Sequence, residues 1–384
     1  MFVPVLMLAP FAFTTGSLAF VGVLEPMADS LGITVATAGQ LQTAFAVATA
    51  VGGPVLAAST RALPKKPLLV AVLVVLAAAH ALCAVTYDFR GLVGLRVAAG
   101  FVGSLSLPLA TAIAVASVAP HDRPRAIATV FAGVTLAFLV GVPSGSVVGD
   151  TLDWHASFWL ASVVSATAAV AIALVVPRAE PVPAARAPLA MVLRWPLIGY
   201  LALTFLSFCA TFTTVAYIGP VVMRLTGFGG SAVGAVQVCV GLGGIVGLVL
   251  GARLAQRRGP VLAMLLAGTI LAQAIFSAGM LFSGSPWTGA MLVVAASLFG
   301  STALFSMNPI IQMRLADGAG PAATLAFALN GSMVFLGQGA GAALGGLVTS
   351  GAGLAFVGVV GAAVAILAAL LSLPVTRAPL GPAR

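Results

Sequence analysis

Few side chains in this chain could carry a proton, and their positions limit the chemistry that it can do. The sequence has 8 acidic residues and 3 histidines, and no acid falls in the middle third of a long apolar segment. A proton carrier needs a group whose pKa can cross ambient pH as its surroundings alternate between wet and dry. The candidates, in chain order, are Glu25, Asp29, His80, Asp150, Asp153 and His155. The alternative interpretation of each is a solvated acid or a buried histidine with satisfied nitrogens.

Arg96 is the one basic residue that lies clearly inside an apolar segment. A charged side chain in lipid is costly and normally faces a cavity or a partner, so its default interpretation is functional. Because Arg96 lies only a few residues into its segment, the alternative is a side chain that extends to the membrane surface.

The composition assigns the chain to the integral membrane proteins. Of its 384 residues, 61% are hydrophobic and only 7% are charged, whereas a soluble chain is roughly one quarter charged. Cys83, Cys209 and Cys239 lie far apart in apolar segments, which is typical of small buried side chains rather than of a disulfide or metal set. We therefore expect no metal and no cofactor. No catalytic set is evident, so we expect no enzyme, and dispersed basic residues argue against nucleic-acid binding.

Twelve apolar segments are long enough to cross a bilayer, and in lipid they must be helices. They cover residues 3–24, 38–58, 68–86, 91–117, 126–148, 156–176, 196–219, 232–252, 260–282, 287–308, 322–348 and 352–373. Every Lys and Arg except Arg90, Arg96 and Arg224 falls on one side of these segments. Positive loops stay in the cytoplasm, so both termini are predicted to be cytoplasmic.

The longest polar connection, residues 177–194, is rich in Pro and Arg and divides the segments six and six. The predicted parts are an N-terminal half (1–176), a cytoplasmic linker (177–194), a C-terminal half (195–373) and a cytoplasmic tail (374–384). The stretches 52–70 and 247–265 echo one another, each with a Gly-containing helix end and a basic turn. The predicted fold is all-α, with 12 transmembrane helices in two pseudo-symmetric halves, an architecture typical of transporters.

Small residues recur at every fourth position in three segments, and such spacing places them on one helix face. The residues of interest are Gly141, Pro143 and Gly145 in the fifth segment, Gly247 in the eighth and Gly341 in the eleventh. Static packing explains these stripes, but so does a sliding contact between halves that open and close. Pro143 removes a backbone hydrogen bond and favours a local bend.

Three stretches carry a resemblance to a known family: "LRVAAG" (95–100), "RAIATVFAGVTLAFLVGVPSGSVVGD" with "LDWHASFWL" (125–160), and "QMRLADGAGPAATLAFALNGS" (312–332). The chain resembles the major facilitator superfamily in its 12-helix drug:proton antiporter branch, near arabinose-efflux permeases and chloramphenicol-resistance exporters. The resemblance implies that helices five and eight, and two and eleven, pack across the halves, and that the fold is complete as a monomer. It also implies a role for Arg96 in proton coupling or substrate contact.

Two departures weaken the transfer of proton chemistry from this family. Ser17 stands where many relatives have a first-helix Glu, and Gly103 stands where sugar-efflux relatives have a His. The proton-coupling candidates are therefore Glu25, Asp29, His80 and Arg96.

The substrate pocket is expected to be apolar with a few polar contacts. The predicted substrate-binding residues are Thr14, Ser17, Gln42, Arg96, Phe208, Phe212, Tyr217, Gln237, Asn308, Asn330 and Gln338. Asn330 and Gln338 stand out because an amide within the membrane needs a partner or a water-lined cavity.

The predicted function is export of a small, largely uncharged amphipathic compound by alternating access, from a bacterial inner membrane. Proton antiport is implied by the resemblance. The alternatives are a proton-independent facilitator or importer of a small neutral metabolite, which the missing membrane acids favour, and a membrane receptor that does not transport.

Overall fold

The computed structural model describes residues 2–177, 191–257, 260–282 and 284–378, and all regular secondary structure in these ranges is helical. Most of the predicted linker 177–194 and the end of the predicted tail 374–384 lie outside the described residues. Twelve helices in the described part are long and apolar enough to span a membrane. They are α1 Val3–Leu31, α2 Val35–Ser59, α3 Lys65–Cys83, α4 Phe89–Ala116, α5 Arg125–Thr151, α6 Trp154–Val175, α7 Leu197–Val215, α8 Gly230–Leu254, α9 Val261–Phe282, α10 Pro286–Ala319, α11 Leu325–Gly351 and α12 Leu354–Arg377.

The twelve predicted segments and the all-α fold are confirmed, but some helix ends differ from the prediction. Helix α1 continues beyond residue 24 to Leu31, where Gly32 adopts a left-handed conformation and ends it. Helix α10 continues beyond residue 308 to Ala319, because Pro309 is accommodated inside the helix. The seventh segment ends as α7 at Val215, and a short separate helix follows it, Ile218–Thr226.

Three of the described helices are distorted near their middles: α1, α4 and α5. Helix α4 is interrupted between Gly103 and Ser106. Helix α1 is α-helical over Leu8–Leu18 and becomes a 3-10 helix at Val21–Val23 before it resumes. Helix α5 contains a π-helical turn at Ala137–Gly141, directly before Pro143. Proline has no N–H to donate to the preceding turn, so a distortion N-terminal to Pro143 is expected.

Among the described residues, the buried core that the two six-helix halves share lies at one end of the bundle. The ring of Phe335 in the second half also meets that of Phe13 in the first, with ring centres 5.8 Å apart. We call the end that holds Val3 and Arg377 the near end, and the opposite end, which holds Leu31 and Gly351, the far end. Among the described residues, the buried apolar side chains form three clusters. One lies toward the near end of each half, and the third joins both halves at the far end. In the third cluster Phe20 of the first half and Tyr217 of the second are both almost fully buried.

Helix α5 packs on α8 and helix α2 packs on α11, so these two helix pairs join the halves, as the family resemblance implied. The remaining extensive helix contacts, such as α8 with α10 and α7 with α11, lie within one half.

Candidate functional site

Arg96 is fully buried and points from α4 toward the break in α1. Its Nη1 donates to the carbonyl oxygen of Gly16 at 2.7 Å, and its Nη2 donates to that of Ser17 at 2.7 Å. These carbonyls belong to the last turn of the helix Leu8–Leu18, where the regular helical donors end. The guanidinium therefore supplies the hydrogen bonds that the broken helix lacks, and the alternative of a side chain extending to the membrane surface is wrong.

Two aromatic rings and an amide complete the surroundings of Arg96. The guanidinium carbon lies 4.2 Å from the ring centre of Phe45 and 4.7 Å from that of Phe20. Nη2 also lies 3.4 Å from Oε1 of Gln42. A buried charge needs such compensation, and a planar guanidinium provides both the fork of donors and the face for stacking.

His80 of α3 also packs against Gly16 and is fully buried. A Cβ atom at Gly16 would overlap the imidazole ring, so only glycine fits at this point of α1. Neither ring nitrogen of His80 has a hydrogen-bond partner among the described residues, and the same holds for Nε2 of Gln42. We call Gly16, Ser17, Gln42, His80 and Arg96 the Arg96 cluster. It brings together four of the predicted site residues.

The other predicted proton carriers lie apart from this cluster. Glu25 is half-buried and Asp29 is exposed, and both lie in the last turns of α1 at the far end. A 2.7 Å hydrogen bond joins Nδ1 of His155 to the carboxylate of Asp153 at the turn between α5 and α6.

A cavity lies between the halves, mostly within the second one. It has a volume of about 40 Å³, which is room for a few waters. Among the described residues, its lining is uncharged and contains five phenylalanine rings. We call it the aromatic cavity, lined by Phe138, Phe208, Thr211, Phe212, Val215, Ile218, Val240, Thr269, Ala272, Gln273, Phe276, Ala296, Ser297, Gly300, Ser301, Leu304 and Phe305.

Of the predicted substrate-binding residues, Phe208 and Phe212 lie in the aromatic cavity. Phe138 is the one lining residue from the first half, and its ring meets that of Phe305 edge to face at 5.6 Å. Gln273 and Ser297 also line the cavity, although neither is among the site residues predicted from the sequence. Gln273 had a usable signal, because it is an amide near the middle of an apolar segment, the same feature that singled out Asn330 and Gln338.

Gln273 ties α9 to α7. Its Oε1 accepts a hydrogen bond from Thr214 at 2.6 Å, and its Nε2 donates to the carbonyl oxygen of Ala210 at 2.7 Å. Asn330 makes a similar link from α11, since its Oδ1 accepts from Thr204 at 2.7 Å. These three hydrogen bonds all lie within the second half.

The remaining predicted substrate-binding residues lie outside the cavity lining. The carbonyl of Thr14 accepts from Ser17, Asn308 bonds to Gln312 within α10, and Gln338 is buried in α11. Tyr217 and Gln237 lie at the contact between the halves.

Two buried hydrogen-bonded contacts join the halves at the far end. Ser146 of α5 donates to Oε1 of Gln237 in α8 at 2.7 Å. The Tyr217 hydroxyl lies 3.0 Å from the carbonyl oxygen of Ala342 and 3.4 Å from that of Ala36, one in each half. Gly39 makes room for this ring, because a Cβ there would overlap it.

The glycine stripes face away from the contact between the halves, contrary to the prediction of a sliding contact. Gly141 and Gly145 of α5 face α1, Gly247 faces α10, and Gly341 faces α7, each within its own half. Their four-residue spacing does place them on one helix face, but that face packs closely on a neighbouring helix of the same half. Pro143 does lie at the contact between the halves. Its carbonyl oxygen is 3.3 Å from where a Cβ on Gly234 of α8 would lie.

Twelve membrane-spanning helices in two halves, with an uncharged cavity between them, define a transporter of the secondary type. The sequence matches the Major Facilitator Superfamily over residues 6–324, and the chain belongs to that family. It is a transporter and not an enzyme.

Relatives and solved structures agree with this assignment. The chain is 34% identical to the chloramphenicol resistance protein of Streptomyces lividans over 266 residues, 68% of each chain. It is 31% identical to the inner membrane transport protein YdhP of Escherichia coli K12 over 373 residues, 96% of this chain and 94% of the relative. A bacterial homolog of the human lysosomal transporter Spinster, solved in an inward-facing and occupied conformation, matches with a TM-score of 0.80 at 15% identity, covering 98% of this chain and 97% of that one. At that identity the match shows the fold alone.

Proposed function

We propose that this transporter exports a small, neutral, amphipathic compound across a bacterial inner membrane. The observation that carries the proposal is the uncharged lining of the aromatic cavity, with phenylalanine rings and a few hydroxyls. A charged substrate would lose its hydration there without gaining a counter-charge, which is costly. Two relatives support the assignment by their names: one is a chloramphenicol resistance protein and another an inner membrane transport protein.

Alternating access is supported by where the halves touch. They share a core and hydrogen bonds at the far end, and each half has a separate core at the near end. The distribution of basic residues predicts that both termini are cytoplasmic. In that orientation the structure is the state that is closed to the outside, and export requires the far-end contacts to open.

Proton antiport is the proposed driving reaction, with the Arg96 cluster as its centre. Arg96 and His80 are fully buried ionisable side chains that both contact Gly16 in α1. An imidazole can take up and release a proton when its surroundings alternate between water and protein. Any tilt of α1 during transport would move the backbone that both side chains contact.

A proton-independent facilitator is the second candidate. It is favoured by the position of Glu25 and Asp29, which lie near the far end of α1 rather than in the Arg96 cluster.

Accumulation measurements separate these candidates. Cells with and without the protein are loaded with labelled chloramphenicol, a cationic dye or a neutral sugar, before and after an uncoupler is added. Export coupled to protons predicts that chloramphenicol is held low only while the proton gradient exists. Faster equilibration that ignores the uncoupler would establish the facilitator instead. Export of the dye but not of chloramphenicol would contradict the neutral substrate.

A further inference from the structure

The hydroxyl groups of the residues that line the aromatic cavity differ in whether they already donate a hydrogen bond within the protein. Thr211 donates to the carbonyl oxygen of Ser207 at 3.0 Å, and Ser301 donates to that of Ser297 at 2.6 Å. A hydroxyl carries one hydrogen and two lone pairs. The oxygens of Thr211 and Ser301 can therefore accept a hydrogen bond from a ligand, but their hydrogens are not available to it.

Gln273 is fixed by two hydrogen bonds to its own half, which engage one of its two N–H hydrogens. Its carbonyl oxygen is engaged by Thr214, and its amide nitrogen is engaged by the carbonyl of Ala210. This amide is held in place by its own half, and its role in the cavity is to position α7 against α9.

Ser297 differs from these residues. Ser297 is one of the residues that line the cavity and is only 4% exposed, and its Oγ has no hydrogen-bond partner among the described residues. A buried hydroxyl without a partner loses its hydration without compensation, so it destabilises the packed state. A ligand oxygen placed in the cavity would supply the missing acceptor.

We propose, building on the proposed function, that the aromatic cavity binds neutral arenes that carry a hydroxyl or amide group next to the ring. Ser297 donates a hydrogen bond to the ligand oxygen, and the ligand O–H or N–H donates to the hydroxyl oxygen of Thr211 or Ser301. The phenylalanine rings pack on the arene edge to face or offset. Ser297 is thus a specificity-determining residue for this polar group.

Binding must widen the cavity. Its volume is about 40 Å³, whereas an engineered cavity of about 150 Å³ is known to hold benzene. The rings of Phe138 and Phe305 meet across the two halves, and their separation would enlarge the space. A ligand in this cavity therefore couples to the contact between the halves.

The test is equilibrium dialysis of the purified protein in detergent against four naphthalene probes, with detergent alone as the blank. The probes are 2-naphthylmethanol, its methyl ether, 2-methylnaphthalene and 2-naphthylmethylammonium. The alcohol can donate and accept, the ether can only accept, and the hydrocarbon can do neither. We expect affinity to fall in that order, by about two- to tenfold per lost hydrogen bond, and the ammonium to bind more weakly than the alcohol.

Ser297→Ala should lower the affinities of the alcohol and the ether by about two- to tenfold and leave that of the hydrocarbon unchanged. Ser106→Ala is the matched control, since Ser106 is also fully buried with an unpartnered hydroxyl but lies in α4, outside the cavity lining. Thermal unfolding verifies that both variants are folded. Unchanged alcohol and ether affinities in Ser297→Ala, or an ammonium that binds as tightly as the alcohol, would overturn the proposal.

Export assays keep this proposal apart from the proposed function. If the alcohol binds in a Ser297-dependent way but no compound is exported, the proposed function fails and the cavity assignment stands. If chloramphenicol export continues while Ser297→Ala changes none of the four affinities, the cavity assignment fails and the proposed function stands.

Discussion

In the first half of the molecule a fully buried guanidinium fills the centre, and in the second half the centre is a cavity lined by rings and hydroxyls. The two halves have corresponding helices, so the positions can be compared. Asp88 begins α4 and Ser285 begins α10, each accepting a hydrogen bond from the first helical turn. Counted from these caps, Val293 stands where Arg96 stands in the first half. The same position of the repeated topology is therefore charged in the first half and apolar in the second.

This difference suggests a division of labour between the halves. A charge and an unpartnered imidazole suit a half that responds to protons, because their energies depend strongly on water access. An uncharged cavity suits a half that binds an apolar compound. The contact between the halves, through Ser146 and Gln237 at the far end, links the two tasks.

The largest expected effect comes from removing the charge of the first half. Arg96→Met leaves the carbonyls of Gly16 and Ser17 without their donors. Each hydrogen bond from a charged group is worth about 1.5–3 kcal/mol, so the free energy of unfolding should fall by about 3 kcal/mol or more. We expect transport to be abolished and the thermal unfolding temperature in detergent to drop.

Two control variants accompany Arg96→Met. Arg96→Lys should recover part of the stability, because an ammonium keeps the charge but cannot reproduce the planar fork. Val293→Ile, at the corresponding position of the second half, should retain transport. A stable and active Arg96→Met protein would break the proposed distinction between the halves.

A smaller effect is expected from crowding the Arg96 cluster. Gly16→Ala would place a Cβ into the His80 ring, and so should reduce transport and the unfolding temperature. Gly94→Ala in α4 is the matched control, since a Cβ there meets open space. The double variant Gly16→Ala/His80→Ala should recover the unfolding temperature of the His80→Ala protein.

That double variant also separates packing from proton chemistry. If His80 only fills space, transport should recover together with stability. If His80 takes part in coupling, stability should recover while accumulation becomes insensitive to the uncoupler. Failure of the double variant to recover stability would show that the contact between Gly16 and His80 is not the cause.

The sequence was sufficient to predict the twelve helices and their division into halves, because lipid allows few alternatives to long apolar helices. It was not sufficient to orient the glycine stripes. Spacing shows that Gly141 and Gly145 share a face, but the neighbour on that face depends on how α1 and α8 pack around α5. The pairing of helices across the halves came from the family resemblance rather than from periodicity.

The site was predictable in residue type but not in arrangement. Arg96 and His80 stood out as ionisable side chains in apolar segments, yet their common contact with Gly16 depends on the break in α1. Ser297 could not be selected from many serines, because its importance lies in the absence of a partner, which only the packed helices define.

The smallest expected effect concerns the hydrogen bond that joins the two halves. Ser146→Ala removes the donor to Gln237 without adding volume. A neutral hydrogen bond contributes about 0.5–1.5 kcal/mol, so the state that is closed at the far end should lose about two- to tenfold in population relative to the open state. Distances between spin labels placed on the exposed far-end turns after α1 and after the short helix Ile218–Thr226 would report this shift, with a larger fraction of long distances expected. Ser157→Ala removes a bond of the same 2.7 Å length to the carbonyl of Gly145, but within the first half, so its distance distribution should match that of the parent protein.

Equal distributions in all three proteins would mean that the shared apolar core alone holds the far end closed. In that case the cavity of the second half and the Arg96 cluster of the first would be coupled through packing rather than through this polar contact.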